Sequence, residues 1–383
     1  MLLAWGLRLA NLGNVRWRTP DEHVYAHFAQ EWRESGAVGI TSLIGQYRNN
    51  PQAWLYPPPT RAGMIVATGI AMDFLGGDGE SAGAVLSCAA SLGSVLLLAL
   101  IGLRFFPPRA ALCALLFYAV SPADLAISRR TWAEALLEFL CLAALYAACE
   151  ITRNSRRLIW YLLLAACGSL GVAVKEAMLL PWGLLSLWVV WVVAVERRDA
   201  RDAVTYIGAA VAGAALSVGW LASLAGGYGN LAAVIAGIPA ANATNAYAIE
   251  FASGPPWLFP WAFWIMSPIA ALLSLAGLWA AFTRNGEAQT TRWIAIYTLV
   301  TLAIAMSLPH WINLRYVAAI YGPFYLLAGL GFSRLYSLRT DWRALAAIVL
   351  IVGAAADYSR FRRVFVADQT ADLSIKMLRD EHR

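Results

Sequence analysis

Long apolar runs alternate with short polar ones along most of this chain. About 20 consecutive apolar residues are needed to cross the hydrocarbon core of a bilayer. On that measure the pattern predicts spanning helices near 82–103, 110–127, 131–150, 158–174, 177–195, 203–225, 258–282, 293–309, 316–335 and 343–357. A further apolar stretch, Met1 to Leu12, brings the expectation to about 11 spans. It is short for a span, so either the true start lies upstream or the first helix is shortened. It has no small-residue cleavage pattern, and no cleavable signal is expected.

Two regions break the rhythm. Residues 14–81 read as a long polar and aromatic loop, in which Val24 to Trp32 and Arg61 to Leu75 are expected as helices lying in the membrane interface. Pro20 disfavours helix at Thr19 and suits a first helical turn, so Asp21 and Glu22 open the first of these. Residues 226–257 read as a second long loop, and 358–383 as a short amphipathic tail. The expected domain is therefore 1–357. No internal repeat of the kind common in secondary transporters is evident.

Composition agrees with the pattern. The chain is 60% hydrophobic and only 14% charged, with a mean hydropathy of +0.60, against about 25% charged for soluble domains. Its net charge of +6 is spread between apolar segments, which argues for membrane topology and against nucleic acid as a partner. One set of alternate loops holds Arg104, Arg109, Arg153, Arg156, Arg157, Arg197, Arg198, Arg201, Arg284, Arg292, Arg334, Arg339 and Arg343. The opposing short loops hold only Arg129, Arg130, Lys175 and Arg315. By the positive-inside rule the N-terminus is inside, and the Asp21 loop, residues 226–257 and the tail face outwards. The five cysteines lie in apolar segments without CxxC spacing and read as small core residues.

Five polar elements then share the outer surface. They are Asp21-Glu22; Tyr56-Pro57-Pro58-Pro59; Ser128-Arg129-Arg130-Thr131-Trp132-Ala133-Glu134; Lys175-Glu176; and His310-Trp311-Ile312-Asn313-Leu314-Arg315-Tyr316. A carboxylate at such a boundary can take a proton from a hydroxyl as general base. Fixed Arg and Lys charges can stabilise a phosphate as negative charge builds on it. A lipid-borne phosphate-sugar would present its headgroup at this depth, so the constellation suggests glycosyl transfer from a lipid-phosphate donor.

On these residues the chain resembles the GT-C glycosyltransferases, in the branch that holds protein O-mannosyltransferases and the bacterial aminoarabinose transferases of lipid A. The resemblance rests on Pro20-Asp21-Glu22-His23-Val24-Tyr25, Tyr56-Pro57-Pro58-Pro59, Ser128-Arg129 followed by Glu134, Lys175, and Asn313-Leu314-Arg315-Tyr316 leading into a span. It covers most of the chain up to about residue 335. It implies an inverting enzyme that uses a polyprenyl-phosphate sugar, with Asp21 as catalytic base and Glu134 helping to form the site. Arg315, Lys175 and Arg129 become candidates for the donor phosphate, with Glu22, Tyr56, His310 and Tyr316 as further substrate-binding candidates. Two features depart from the family pattern: Pro59 stands where a leucine is common, and the soluble C-terminal domain of many members has no counterpart.

The resemblance implies a bacterial inner-membrane protein with its site facing the periplasm, and a glycan, lipid or protein acceptor. The basic residues suit a phosphate site without a cofactor, a divalent cation staying open. The residues allow two other readings. His23 and His27 share a helix face near Glu22, a spacing that can bind zinc, although HExxH order is lacking. A polyprenyl-lipid flippase without catalysis would need charges along a transmembrane path, whereas these cluster at span ends.

Overall fold

The computed structural model describes the chain except for residues 11, 13, 14, 16, 154–156, 284–288, 309–311, 339–342, 371, 376, 377 and 379–383. Among the described residues all regular structure is helical apart from one isolated bridge, Asn313 to Ser374. A short helix, α1 (Leu2–Leu9), precedes α2 (Pro20–Asn49) and α3 (Ala62–Leu75). The bundle follows as α4 (Gly79–Phe105), α5 (Pro108–Ala119), α6 (Pro122–Ile127), α7 (Ala133–Thr152), α8 (Leu158–Val174), α9 (Leu179–Val190) and α10 (Ala200–Leu224). Next come α11 (Tyr228–Thr244), α12 (Ala246–Phe251), α13 (Leu258–Met266), α14 (Pro268–Thr283), α15 (Gln289–Ser307), α16 (Tyr321–Leu338) and α17 (Arg343–Phe361).

Seven helical segments among the described residues are long and apolar enough to cross a membrane, or eight if one bent pair counts as a span. The protein is a multi-pass helical membrane protein. The expectation of about 11 differs because several apolar runs are broken or short. The run 110–127 divides into α5 and α6, since Ser121 caps α6 through its hydroxyl, which accepts from the Asp124 N–H at 3.3 Å, and Pro122 takes the first helical position. The run 258–282 divides into α13 and α14, bent by 120°. Pro268 disfavours helix at Ser267, which adopts φ −147° and ψ 70°. The first apolar stretch forms only the eight-residue α1.

The first expected interfacial helix is longer than its polar pattern suggested. It runs on from Trp32 to Asn49 through a kink at Gly36, where φ is +59° and only glycine is comfortable. Beyond the kink Ile40, Leu43, Ile44 and Tyr47 are buried at helical spacing. The second, α3, ends on Gly76 in the left-handed conformation. Residues 226–257, expected as a loop, form α11 and α12.

Two elements make the centre. Of the apolar part of Leu314–Ser337, 89% lies inside the protein, and 78% of that of α7, against 22% for α10 and α17. The last two present most of their surface outwards, as lipid-facing helices do. The tail differs most from expectation. After α17 the chain turns back, and Leu373 O accepts from the Leu314 N–H at 3.1 Å. Leu373, Ser374 and Ile375 are fully buried. An amphipathic tail was expected at the surface. Instead its apolar residues fill the core beside the start of the central helix.

Candidate functional site

The start of α2 sets the site. Glu22, three residues past the cap, reaches back to accept from the Thr19 N–H at 2.7 Å, the reciprocal half of a capping box. It also accepts from Arg130 at 2.8 Å and from Arg18 at 2.8 Å. The Thr19 hydroxyl in turn accepts from the Trp132 indole at 3.1 Å. Burial disfavours a charged Glu22, but Arg130, the Thr19 N–H and Arg18 outweigh it and hold its carboxyl below the usual range. These contacts lock the first turn, and Asp21 faces the other way, into a cavity.

That cavity has a volume of about 510 Å³. Asp21, Tyr56, Glu134, Lys175, Arg315 and Tyr316 all line it, so six candidates from distant parts of the chain meet. Arg315 is the hinge of the arrangement. Its Nη1 lies 2.9 Å from Asp21 Oδ2, and its guanidinium packs over the rings of Trp132 and Tyr316, at 5.2 and 5.4 Å. Its Nε is buried and has no hydrogen-bond partner among the described residues. Lys175 Nζ donates to Glu134 Oε1 at 2.6 Å and sits 4.7 Å from the centre of the Tyr316 ring. Lys175 is nearly fully buried, as is Glu134, and a buried charge at this depth requires such a partner.

Two of the described candidates lie elsewhere. Glu22, expected to touch substrate, does not line the cavity, because the cap and Arg130 consume its carboxylate. Arg129 is also absent from the wall. Its Nη2 donates to Leu7 O at 2.7 Å and its guanidinium stacks over Phe361. His310 lies outside the described residues. The zinc reading also loses its geometry: Glu22 turns inwards, His23 pairs with Glu80 at 2.5 Å, and no group of three metal-ligating side chains occurs among the described residues.

The cavity includes residues that the sequence did not single out. Arg61 donates to Glu176 and, at 3.1 Å, to the Tyr25 hydroxyl. Burial opposes its charge, but Glu176 and Tyr25 outweigh that and push its pKa further up. Asn245 and Tyr247 come from the region expected to be a loop. Asp372 comes from the tail. It accepts from Asn313 Nδ2 at 3.2 Å and from the Tyr247 hydroxyl, and lies 3.9 Å from Arg315 Nε. Burial pushes its carboxyl up to about 7, with the Leu373 N–H opposing and the neighbouring Asp21 adding to the rise. Glu176 already stood in the Lys175-Glu176 element, and Arg61 had a visible cue as a basic residue beside the proline run. Asp372 had none.

Every charged group of the wall thus stands at a helix terminus or connection at one end of the bundle. The other end is bound by arginines: Arg104 pairs with Glu150, and Arg197 donates to the carbonyls of Ile151 and Thr152. A cavity with juxtaposed acids and bases at one end of an apolar bundle can accept an anionic headgroup while an attached lipid chain stays between helices.

Residues 65–221 match the model of the dolichyl-phosphate-mannose-protein mannosyltransferase family. No curated sequence matches the chain. Among solved structures, ArnT from Cupriavidus metallidurans, crystallised with undecaprenyl phosphate, superimposes with a TM-score of 0.56 at 15% identity, covering 94% of this chain and 71% of that one. An Archaeoglobus fulgidus oligosaccharyltransferase, solved with zinc and sulfate, gives a TM-score of 0.58 at 14% identity over 97% of this chain and 52% of that one. The archaeal oligosaccharyltransferase AglB, in complex with an inhibitory peptide and a dolichol-phosphate, gives 0.54 at 14% identity, over 97% and 55%. The chain has the fold of the GT-C glycosyltransferases.

Proposed function

We propose that this protein is an integral-membrane glycosyltransferase that moves a sugar from a polyprenyl-phosphate donor to an acceptor hydroxyl on the outer, periplasmic face. The observation that carries the reading is the Asp21–Arg315 ion pair in the wall of a cavity that also holds the Lys175–Glu134 pair. A base and an anion-binding cation stand there within one contact of each other. In the transfer, the acceptor oxygen forms a bond to the anomeric carbon as the bond from that carbon to the phosphate oxygen breaks. The hydroxyl proton passes to Asp21, and the electron pair leaves with the polyprenyl phosphate. Arg315 stabilises the charge that gathers on that leaving group, and Lys175, packed on the same Tyr316 ring, adds to the positive field. Attack from the side opposite the phosphate inverts the anomeric centre. Glu134 holds Lys175 in place, Tyr316 packs against both Lys175 and Arg315, and Tyr56 offers a ring face to sugar or isoprenoid.

Native mass spectrometry of the detergent-purified protein titrated with undecaprenyl phosphate tests the reading. Saturable binding is expected, weakened at least about tenfold in Arg315→Ala and less in Arg315→Lys, which keeps the charge but loses the fork. Asp21→Asn should retain lipid binding and lose about 10²- to 10⁴-fold in turnover once a donor is found. A folded wild type that fails to bind the lipid would overturn the donor class.

A further inference from the structure

The cavity wall carries as many acids as bases. Arg18, Arg61, Lys175 and Arg315 stand against Asp21, Glu134, Glu176 and Asp372. The buried Glu22 and Arg130 just behind the wall add one of each. A donor phosphate therefore enters a site that is already neutral, and brings at least one further negative charge. Either an ion pair must open or one acid must take up a proton. Most of the acids are poor candidates. Glu134, Glu176 and Asp21 each make a direct ion pair, with Lys175, Arg61 and Arg315.

Asp372 is different. Its nearest cation, Arg315 Nε, is 3.9 Å away, beyond hydrogen-bonding reach, and that Nε has no partner of its own among the described residues. What holds Asp372 is neutral: Asn313 Nδ2, the Tyr247 hydroxyl and the Leu373 N–H. The charged groups around it are Arg315 from the segment before α16, Asp21 from α2, and Arg130 and Glu134 from the connection into α7 and its first turn. Two of these are acids.

We propose that Asp372 takes up a proton when an anionic phosphate enters the cavity, so that lipid-phosphate binding is coupled to proton binding at this residue of the tail. The carboxylate and the phosphate compete for the same face of Arg315: the Nε–H there is unbonded among the described residues, and protonation of Asp372 removes the negative charge 3.9 Å from it that would repel a phosphate oxygen. Asp372 is thereby a positioning residue, which tunes Arg315 for the donor. The burial and acidic neighbours that lift its carboxyl to about 7 put the exchange within reach of ordinary pH.

The inference rests on the lipid-phosphate reading above, and its test separates the two. A probe whose own charge does not change is needed, so methyl undecaprenyl phosphate, a phosphodiester, replaces the titrating monoester. Its binding to the full-length protein in detergent is measured calorimetrically from pH 5.5 to 8.5, in two buffers of different ionisation enthalpy. Proton binding and anion binding favour each other, so affinity is expected to be flat below the Asp372 midpoint. Above it, affinity falls by up to about tenfold per pH unit, with close to one proton taken up. In Asp372→Asn the slope and the proton uptake disappear, and affinity stays near the low-pH value of the wild type. Tyr247→Phe removes a donor to the carboxylate, raises its pKa further and moves the midpoint to higher pH. That variant decides the matter if Asp372→Asn does not fold. Binding that is independent of pH in the wild type, a slope that persists in Asp372→Asn, or an unmoved midpoint in Tyr247→Phe overturns the role of Asp372 alone. No binding at any pH overturns the lipid-phosphate reading as well.

Discussion

Asp21 and Glu22 are neighbours with the same chemistry, yet they sit in different worlds. Successive residues on a helix point about 100° apart, so at the start of α2 one carboxylate faces the cavity while the other turns into the protein. Glu22 is fully buried against Arg130 and Arg18. Removing one member of such a pair leaves its partner's charge uncompensated. Glu22→Ala should therefore lower stability by about 3–5 kcal/mol, read as thermal unfolding in detergent at pH 7. The pH dependence has a definite sign. A carboxyl lowered in the folded state contributes stability that is present above its ordinary value of 4.5 and is lost as pH falls through the lower folded value. The gap between wild type and variant should close in that acid range, and a gap that persists there would assign the loss to packing instead. The pair itself was plain in the sequence; which of the two faced the cavity was not, because that depends on a cap and on Arg130, 108 residues away. Asp372 was invisible for the converse reason: one of several acids in an amphipathic tail reads as solvated until the chain is folded back over it.

At the scale of elements, periodicity located most helices and failed where a single residue redirects the backbone. Pro122 and Pro268 were in view, but a long apolar run around each outweighed them, and the result was two continuous spans where the structure has breaks. Residues 226–257 carry so many small and polar residues that no apolar face stood out, and α11 and α12 went unrecognised. Their contribution to the cavity depends on packing over α2 and the Pro51–Leu55 turn, which no local pattern encodes. The central contact between α14 and α16 shows how much rests on small residues. A side-chain carbon at Gly331 would overlap the Leu273 carbonyl, and one at Gly277 would overlap the Leu327 carbonyl. The two backbones touch, as they do where small residues drive association of spanning helices. Gly331→Val should separate them and lower stability by about 1–3 kcal/mol or more. A side-chain carbon at Gly183, in α9, meets nothing within 4 Å, so Gly183→Val serves as a control for β-branching. Equal melting temperatures for the two variants would show that the α14–α16 approach is not under tension.

Over the whole molecule, polarity is sorted by end. The cavity gathers its charges from the N-terminus of α2, the start of α7, the connection from α8 to α9, the approach to α16 and the returned tail. The arginines Arg104, Arg153 and Arg197 cluster around the far end of α7. Because α7 runs from Glu134 at the cavity to Thr152 among these arginines, the two ends are fixed relative to each other whatever the number of spans. An excess of basic residues marks the cytoplasmic side, which is the ground for proposing that the cavity opens on the opposite face. A lipid-phosphate sugar and a secreted or envelope acceptor would meet there. All five cysteines are buried, which leaves a quiet background for labelling. Gln52, exposed on the turn beside the cavity, and Ala200, exposed at the start of α10 next to Arg197, report on opposite ends. In intact cells a membrane-impermeant maleimide should modify Gln52→Cys, and Ala200→Cys only after lysis. The reverse pattern would put the cavity, and with it the proposed transfer, on the cytoplasmic face, where the donor would have to be drawn from the inner leaflet.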